Sequence, residues 1–243
     1  MILQVYGISI QGKVRKNNED SILIGDCIFT DAEHSEKIAE EQTAVFAVAD
    51  GMGGHKAGEV ASKITLERLR EFVNKLSHGK ETIELKDLMG KWAHGVFTEL
   101  WNMGKTDETI RGMGSTLSGI LYYNHKFFWF NAGDSRTYIY RNGSLTQLST
   151  DHSESARYKD SLLPSNFINN CIGGSKPPFI DMEEVEVKQG DVLLICSDGL
   201  TDMLPDALIA QYLKNPDCHI LVKQANDNGG KDNTSVVLIE VTA

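Results

Sequence analysis

Residues Ser115–Leu148 read STLSGILYYNHKFFWFNAGDSRTYIYRNGSLTQL. Short runs rich in aromatic and β-branched residues alternate there with turn formers. Ser115–Tyr123 and Phe127–Asn131 are joined by Asn124-His125-Lys126, and Arg136–Arg141 and Ser144–Leu148 by Asn142-Gly143. Asn-Gly between two such runs is the strongest local hairpin signal in the chain. The stretch predicts a β meander, and with it an antiparallel sheet.

Further strands are predicted on both sides: Leu3–Ile10, Ser21–Phe29, the apolar run Ala44–Ala49, Met182–Val187, Val192–Ser197 and Thr234–Val241. Thr30–Gln42 is polar and reads as a connection. Apolar residues recur at helical spacing over Glu59–Leu76 and Leu85–Met103, and two further helices are expected at Asp206–Leu213 and Cys218–Asn228. Strands in runs with helices segregated between them argue α+β with mostly antiparallel sheets. The 243 residues suit one domain, 1–243, with an irregular excursion at about 151–176.

The formal net charge of −10 argues against nucleic acid or anionic membrane as a partner. No stretch approaches the roughly 18 apolar residues that span a bilayer. The start of the chain lacks a charged leader and a long apolar core. Cys27, Cys171, Cys196 and Cys218 show neither a CxxC pair nor zinc-like spacing to His, and are expected as reduced thiols. Cytoplasmic location is the expectation.

Acidic residues sit where the apolar runs begin or end. Ala44–Ala49 leads into Asp50, Phe127–Gly133 into Asp134, and Val192–Ser197 into Asp198. Glu19-Asp20 precedes one strand and Asp232-Asn233 another. Antiparallel pairing sets one strand's end beside its neighbour's start, so these acids would gather at one end of the sheets. Clustered carboxylates repel unless a cation balances them. Asp50-Gly-Met-Gly-Gly-His-Lys-Ala-Gly58 suits a hard cation, with the Gly51 carbonyl as a second oxygen ligand. Asp198 and Asp202 share a face if their segment turns helically. Arg15 offers a fork for a phosphate dianion, and His55 a proton for a leaving oxygen. Taken singly, each segment also reads as an ordinary connector or cap.

Other phosphate chemistries find little support. The residues six after each cysteine are Glu33, Pro177, Asp202 and Gln224, not the arginine of a cysteine-nucleophile loop. There is no Asp-x-Asp, no P-loop and no Gly-x-Ser-x-Gly elbow.

In order, Arg15, Glu19-Asp20, Asp50-Gly51-Met-Gly-Gly, Gly114-Ser-Thr116, Gly133-Asp-Ser-Arg136, Ser197-Asp-Gly-Leu-Thr-Asp202 and Gly230-Lys-Asp-Asn233 resemble the PPM family of PP2C-type serine/threonine protein phosphatases, in its bacterial branch. The resemblance implies two antiparallel sheets packed as a sandwich between helical layers. It implies a centre of two Mn²⁺ or Mg²⁺ ions: Asp50 bridging, Gly51 on one ion, Asp198 and Asp232 on the other, and Glu19 in support. Asp134 and Asp202 match acids that hold a third ion in many relatives. Arg15 matches the phosphate-binding arginine, and His55 loosely matches the general acid. Phosphorylated proteins would be the substrates, a serine/threonine kinase a partner, and a monomer the working form. A silent binding module and a phosphatase of small phosphoesters are the alternatives. One departure stands out: the excursion is short and ends Ile168-Asn-Asn-Cys-Ile-Gly173, without the arginine that relatives carry before this position.

Overall fold

The computed structural model describes residues 2–39, 43–53, 56–154 and 167–242. In chain order the strands are β1 (Ile2–Ile10), β2 (Asp20–Ile24), β3 (Cys27–Phe29), β4 (Glu33–Ala39) and β5 (Ala44–Met52). Helices α1 (Lys56–Asn74) and α2 (Thr82–Thr106) follow, then a 3₁₀ turn at Glu108–Ile110. The meander comprises β6 (Gly114–Ser115), β7 (Leu117–Tyr123), β8 (Lys126–Ala132), β9 (Arg136–Arg141) and β10 (Ser144–Gln147). After β11 (Ile172–Gly173), β12 (Asp181–Val185) and β13 (Val192–Cys196) come α3 (Asp198–Thr201), α4 (Asp206–Tyr212), α5 (Cys218–Asp227) and β14 (Thr234–Thr242).

Every described strand pairing is antiparallel. One sheet runs β10-β9-β13-β14-β1-β4. The other runs β3-β2-β5-β7-β8-β12, with β6 and β11 added at the end of β5. The hairpin loops Asn124 (49°) with His125 (62°) and Asn142 (51°) with Gly143 (83°) place positive φ at both positions. That is the backbone of type I′ turns, whose twist matches the flanking strands.

Side-chain alternation then builds four layers. Along β5, Phe46 and Val48 face the other sheet with Val5, Ile120, Leu193 and Ile239, while Val45, Ala47 and Ala49 join Leu66, Leu69, Met89 and Val96 of α1 and α2. On the far side, Val236 and Leu238 of β14 and Leu194 of β13 pack with Ile209, Leu221 and Val222 of α4 and α5. Central strands are covered on both faces, which is why they read as unbroken apolar runs. The layering is helix, sheet, sheet, helix. No described helix is long and apolar enough to cross a membrane.

Two stretches differ from the sequence reading. Ser21–Phe29 is a hairpin rather than one strand, because Gly25 (φ 56°) turns the chain between β2 and β3. The polar connection Thr30–Gln42 contains β4, which pairs with β1 over seven positions. Edge strands are often charged, since polar side chains there discourage pairing with other chains. The described part of the excursion is a neck: Ser153 and Ile168 form a bridge, and Glu154 N–H donates to the Phe167 carbonyl at 2.9 Å.

Candidate metal centre

Antiparallel register gathers the acids. Asp20 on β2 stands opposite Asp50 on β5. Cys196 pairs with Val236 of β14 and Arg136 of β9, so Asp198, Asp232 and Asp134 leave neighbouring strands at the same end of the sandwich. Arg15, Glu19, Asp50, Gly51, Asp134, Asp198 and Asp232 line one open cleft of about 670 Å³, and Ile168 from the excursion's neck lines it too. Asp202 is exposed and stands outside that lining. It is one turn beyond Asp198, its N–H donating to the Asp198 carbonyl at 2.8 Å as the helical reading expected. His55 lies outside the described residues.

Backbone contacts hold these acids in place. Asp50 N–H donates to Thr116 Oγ1 (3.0 Å) and Thr116 N–H to the Asp50 carbonyl (2.8 Å), while Thr116 Oγ1 also meets Ser135 Oγ at 2.7 Å. The single Thr116 side chain thus ties the Asp50 strand to the Asp134 loop. Asn233 plays the same part on the opposite wall. Its Oδ1 accepts from Glu19 N–H (2.9 Å), and its Nδ2 donates to the carbonyls of Gln11 (2.8 Å) and Asn17 (2.9 Å). Ser197 Oγ donates to Asp20 Oδ2 at 2.8 Å. The Gly51 backbone approaches Gly58 so closely that a Cβ on Gly51 would stand 2.0 Å from the Gly58 carbonyl oxygen.

In the sequence Asp20 reads as a supporting neighbour of the ion-binding acids, and Thr116, Ser197 and Asn233 carry no role of their own. Their only signal is adjacency to the acids; what they hold follows from long-range pairing. His152 is another such residue. It is buried, and its Nδ1 accepts from Gly133 N–H (3.2 Å), which leaves the proton on Nε2 to donate to Asp181 Oδ2 (3.0 Å). His152 N–H also donates to the Gly133 carbonyl at 2.9 Å, so this ring braces the loop that carries Asp134.

The electrostatics are those of a site built for positive charge. Burial, then the charges of Asp20, Asp198, Asp232 and Asp134, push Asp50 well above the carboxylate range. Burial, then Asp134, Asp232 and Asp202, does the same to Asp198. Burial raises Asp20 and Asp134 to about 6. Oδ1 of Asp20, Asp134 and Asp198 is buried without a hydrogen-bond partner among the described residues. Arg15 is the nearby counter-charge, paired with Asp232 and half exposed. Among the described residues no three His, Cys, Asp or Glu side chains form a ready-made ligand set. The carboxylates instead line an open cleft. Carboxylates plus a free backbone carbonyl are oxygen donors, and orphaned buried oxygens are what a hard divalent cation satisfies. The residues fit such an ion.

An antiparallel sandwich with carboxylates gathered around an open cleft at one end is the build of a hydrolase that works through hard cations. The protein phosphatase 2C profile matches residues 29–225, most of the chain. The serine/threonine phosphatase stp of Listeria innocua is 29% identical over 245 residues, covering 95% of this chain and 92% of that protein. PstP of Mycobacterium tuberculosis is 30% identical over 99% of this chain, which spans 45% of that longer protein. Among solved structures, the S. agalactiae serine/threonine phosphatase superposes with a TM-score of 0.85 at 28% identity, over 98% of this chain and 99% of that one. The catalytic domain of PstP in complex with two manganese ions superposes at 0.78 with 30% identity, each chain covered in full. The chain belongs to the protein phosphatase 2C family, in its bacterial branch, and is an enzyme of that class, a metal-dependent protein phosphatase.

Proposed function

We propose that this chain hydrolyses phosphoserine and phosphothreonine in proteins at a centre of two divalent ions, Mn²⁺ or Mg²⁺. The observation that carries the reading is the set of buried carboxylate oxygens, unpartnered among the described residues, gathered at one open cleft beside Arg15. Asp50, the Gly51 carbonyl, Asp198 and Asp232 would hold the two ions, with Glu19 in support, and Asp134 and Asp202 would serve a third. Bound there, such ions supply Lewis-acid charge that brings the pKa of water to near neutrality.

The remaining tasks fall to the chain's own groups. Arg15 uses one side of its guanidinium on Asp232, and its other N–H donors are left to grip phosphoryl oxygens and balance their charge in flight. Thr116 and Asn233 keep the two walls of the cleft in register, so the phosphorus is met in line. His55 is the proposed proton donor to the departing serine or threonine oxygen. Attack by water without a phosphoenzyme is favoured by the cysteines. Burial pushes Cys171 up to about 11, and Cys196 and Cys218 up to about 12, so these three are not ready thiolates. Four free cysteines also agree with a cytoplasmic site of action. A cognate serine/threonine kinase is the proposed partner of opposite activity.

Asp50→Asn tests the reading. It should lower Mn²⁺-stimulated hydrolysis of a phosphothreonine peptide by about 10²–10³-fold or more, the scale of losing a principal charge-stabilising group. Near-native turnover would overturn the site.

A further inference from the structure

A second groove of about 500 Å³ opens beside the cleft and shares Lys16 and Asn17 with it. We propose that this groove seats the polypeptide flanking the phosphorylated residue, and that Lys16 and Lys63 select an acidic side chain there. The inference rests on the phosphoprotein reading above and names the substrate class more narrowly.

Continuity is the first argument. The loop that carries Arg15 forms the partition between cleft and groove, so a chain whose phosphate is held at Arg15 crosses Lys16 as it leaves. The second argument is the groove's build. Its floor is cross-linked by side chains. Asn18 is buried, donates to Ser9 Oγ (2.9 Å) and Asp31 Oδ1 (2.8 Å), and accepts from Asp20 N–H (3.1 Å). Ser21 Oγ meets Thr30 Oγ1 at 3.1 Å and Ser62 Oγ at 3.2 Å. A floor held this way is preformed, and ordering it adds little to the entropy lost on binding. Half-buried Ile28 and Phe29 give one wall an apolar surface, while Asn17 presents an amide that matches a peptide backbone and Gln11 steadies the Arg15 loop, its Nε2 donating to the Arg15 carbonyl at 2.6 Å.

Charge is the third argument. Lys16 and Lys63 are exposed on the rim and have no ion-pair partner among the described residues. Two carboxylates line the groove as well: Asp31, which accepts from Asn18 in the floor, and Glu59, one turn before Lys63 on α1, which makes no described ion pair with it, so the selection rests on where the two ammonium groups stand rather than on an excess of positive charge. The chain as a whole carries a net charge of −10 and repels acidic peptides, so these two ammonium groups mark where an acidic flank lands.

The test uses the full chain with Mn²⁺ and compares kcat/KM for three substrates. These are p-nitrophenyl phosphate and two phosphothreonine peptides, one flanked by Glu and one by Lys. Wild type should favour the acidic peptide. Lys63→Glu, outside the lining of the metal cleft, should lower the acidic peptide about fivefold, raise the basic one, and leave p-nitrophenyl phosphate unchanged. Equal handling of both peptides by wild type, or a uniform change across all three substrates in Lys63→Glu, would overturn the groove's role. No turnover of any substrate by wild type would reject the phosphatase reading itself, and the groove's role with it.

Discussion

Asp20 and Asp50 face each other across β2 and β5, Asp20 buried and Asp50 half-buried, with only Ser197 Oγ and neighbouring hydrogen bonds to offset their charge. Such a pair makes folding take up protons. Asp20 and Asp134 have folded values of about 6 against an ordinary 3.8. Between those values the folded chain binds more protons than the unfolded one, so stability falls as pH climbs from about 4 through 6. A divalent cation reverses the slope, because it binds only the ionised acids. Thermal melts in chelator should therefore lose several degrees between pH 5 and pH 7, whereas melts in excess Mn²⁺ should not. A flat or rising melting temperature in chelator over that window would contradict the account. The opposite sign holds at Arg141 and Asp191. Burial raises Asp191, but Arg141 and the Lys188 N–H outweigh it and hold the carboxyl low, so that pair's contribution is lost only as pH falls below the carboxylate range.

At the scale of elements, two glycines make opposite forecasts. Gly199 sits in α3 just after Asp198, where a Cβ would stand 1.8 Å from the Asn233 carbonyl oxygen. Gly199→Ala must push α3 away from β14, and should destabilise by about 1–3 kcal/mol or more while moving Asp198 out of register with Asp232. Gly90 lies within α2 with nothing near its Cβ position, and Gly90→Ala should stabilise by about 0.5–1 kcal/mol. Urea titrations of the two variants, with activity measured alongside, check both signs. The same scale explains what the sequence disclosed. Strands buried on both faces, such as β5 and β13, announce themselves as apolar runs, and the Asn142-Gly143 turn fixes its hairpin outright. β4 does not, because an edge strand covered on one side reads as polar linker. The acids were legible for the same reason as the strands they terminate. Thr116, Asn233 and His152 were not, because what each one holds is brought close only by pairing between segments far apart in the chain.

At the scale of the molecule, the sandwich supports a site that works against it. Phe46 is fully buried between the sheets, and Phe46→Ala should cost about 3–5 kcal/mol while leaving the response to Mn²⁺ intact. Asp198→Asn should do the reverse. Its carboxylate is held well above the usual range by burial and by Asp134, Asp232 and Asp202, so in chelator the charge opposes folding. Replacing it with a neutral amide of the same shape removes that repulsion, and the amide offers N–H donors to the acids around it. About 1–2 kcal/mol of stabilisation follows, or roughly 2–8 °C for a chain of this size. The variant should melt higher than wild type in chelator, gain less than wild type from added Mn²⁺, and be inactive. A lower melting temperature in chelator would mean that Asp198 serves the fold rather than the cation. An Mn²⁺-induced rise as large as wild type's would mean that Asp198 holds no ion.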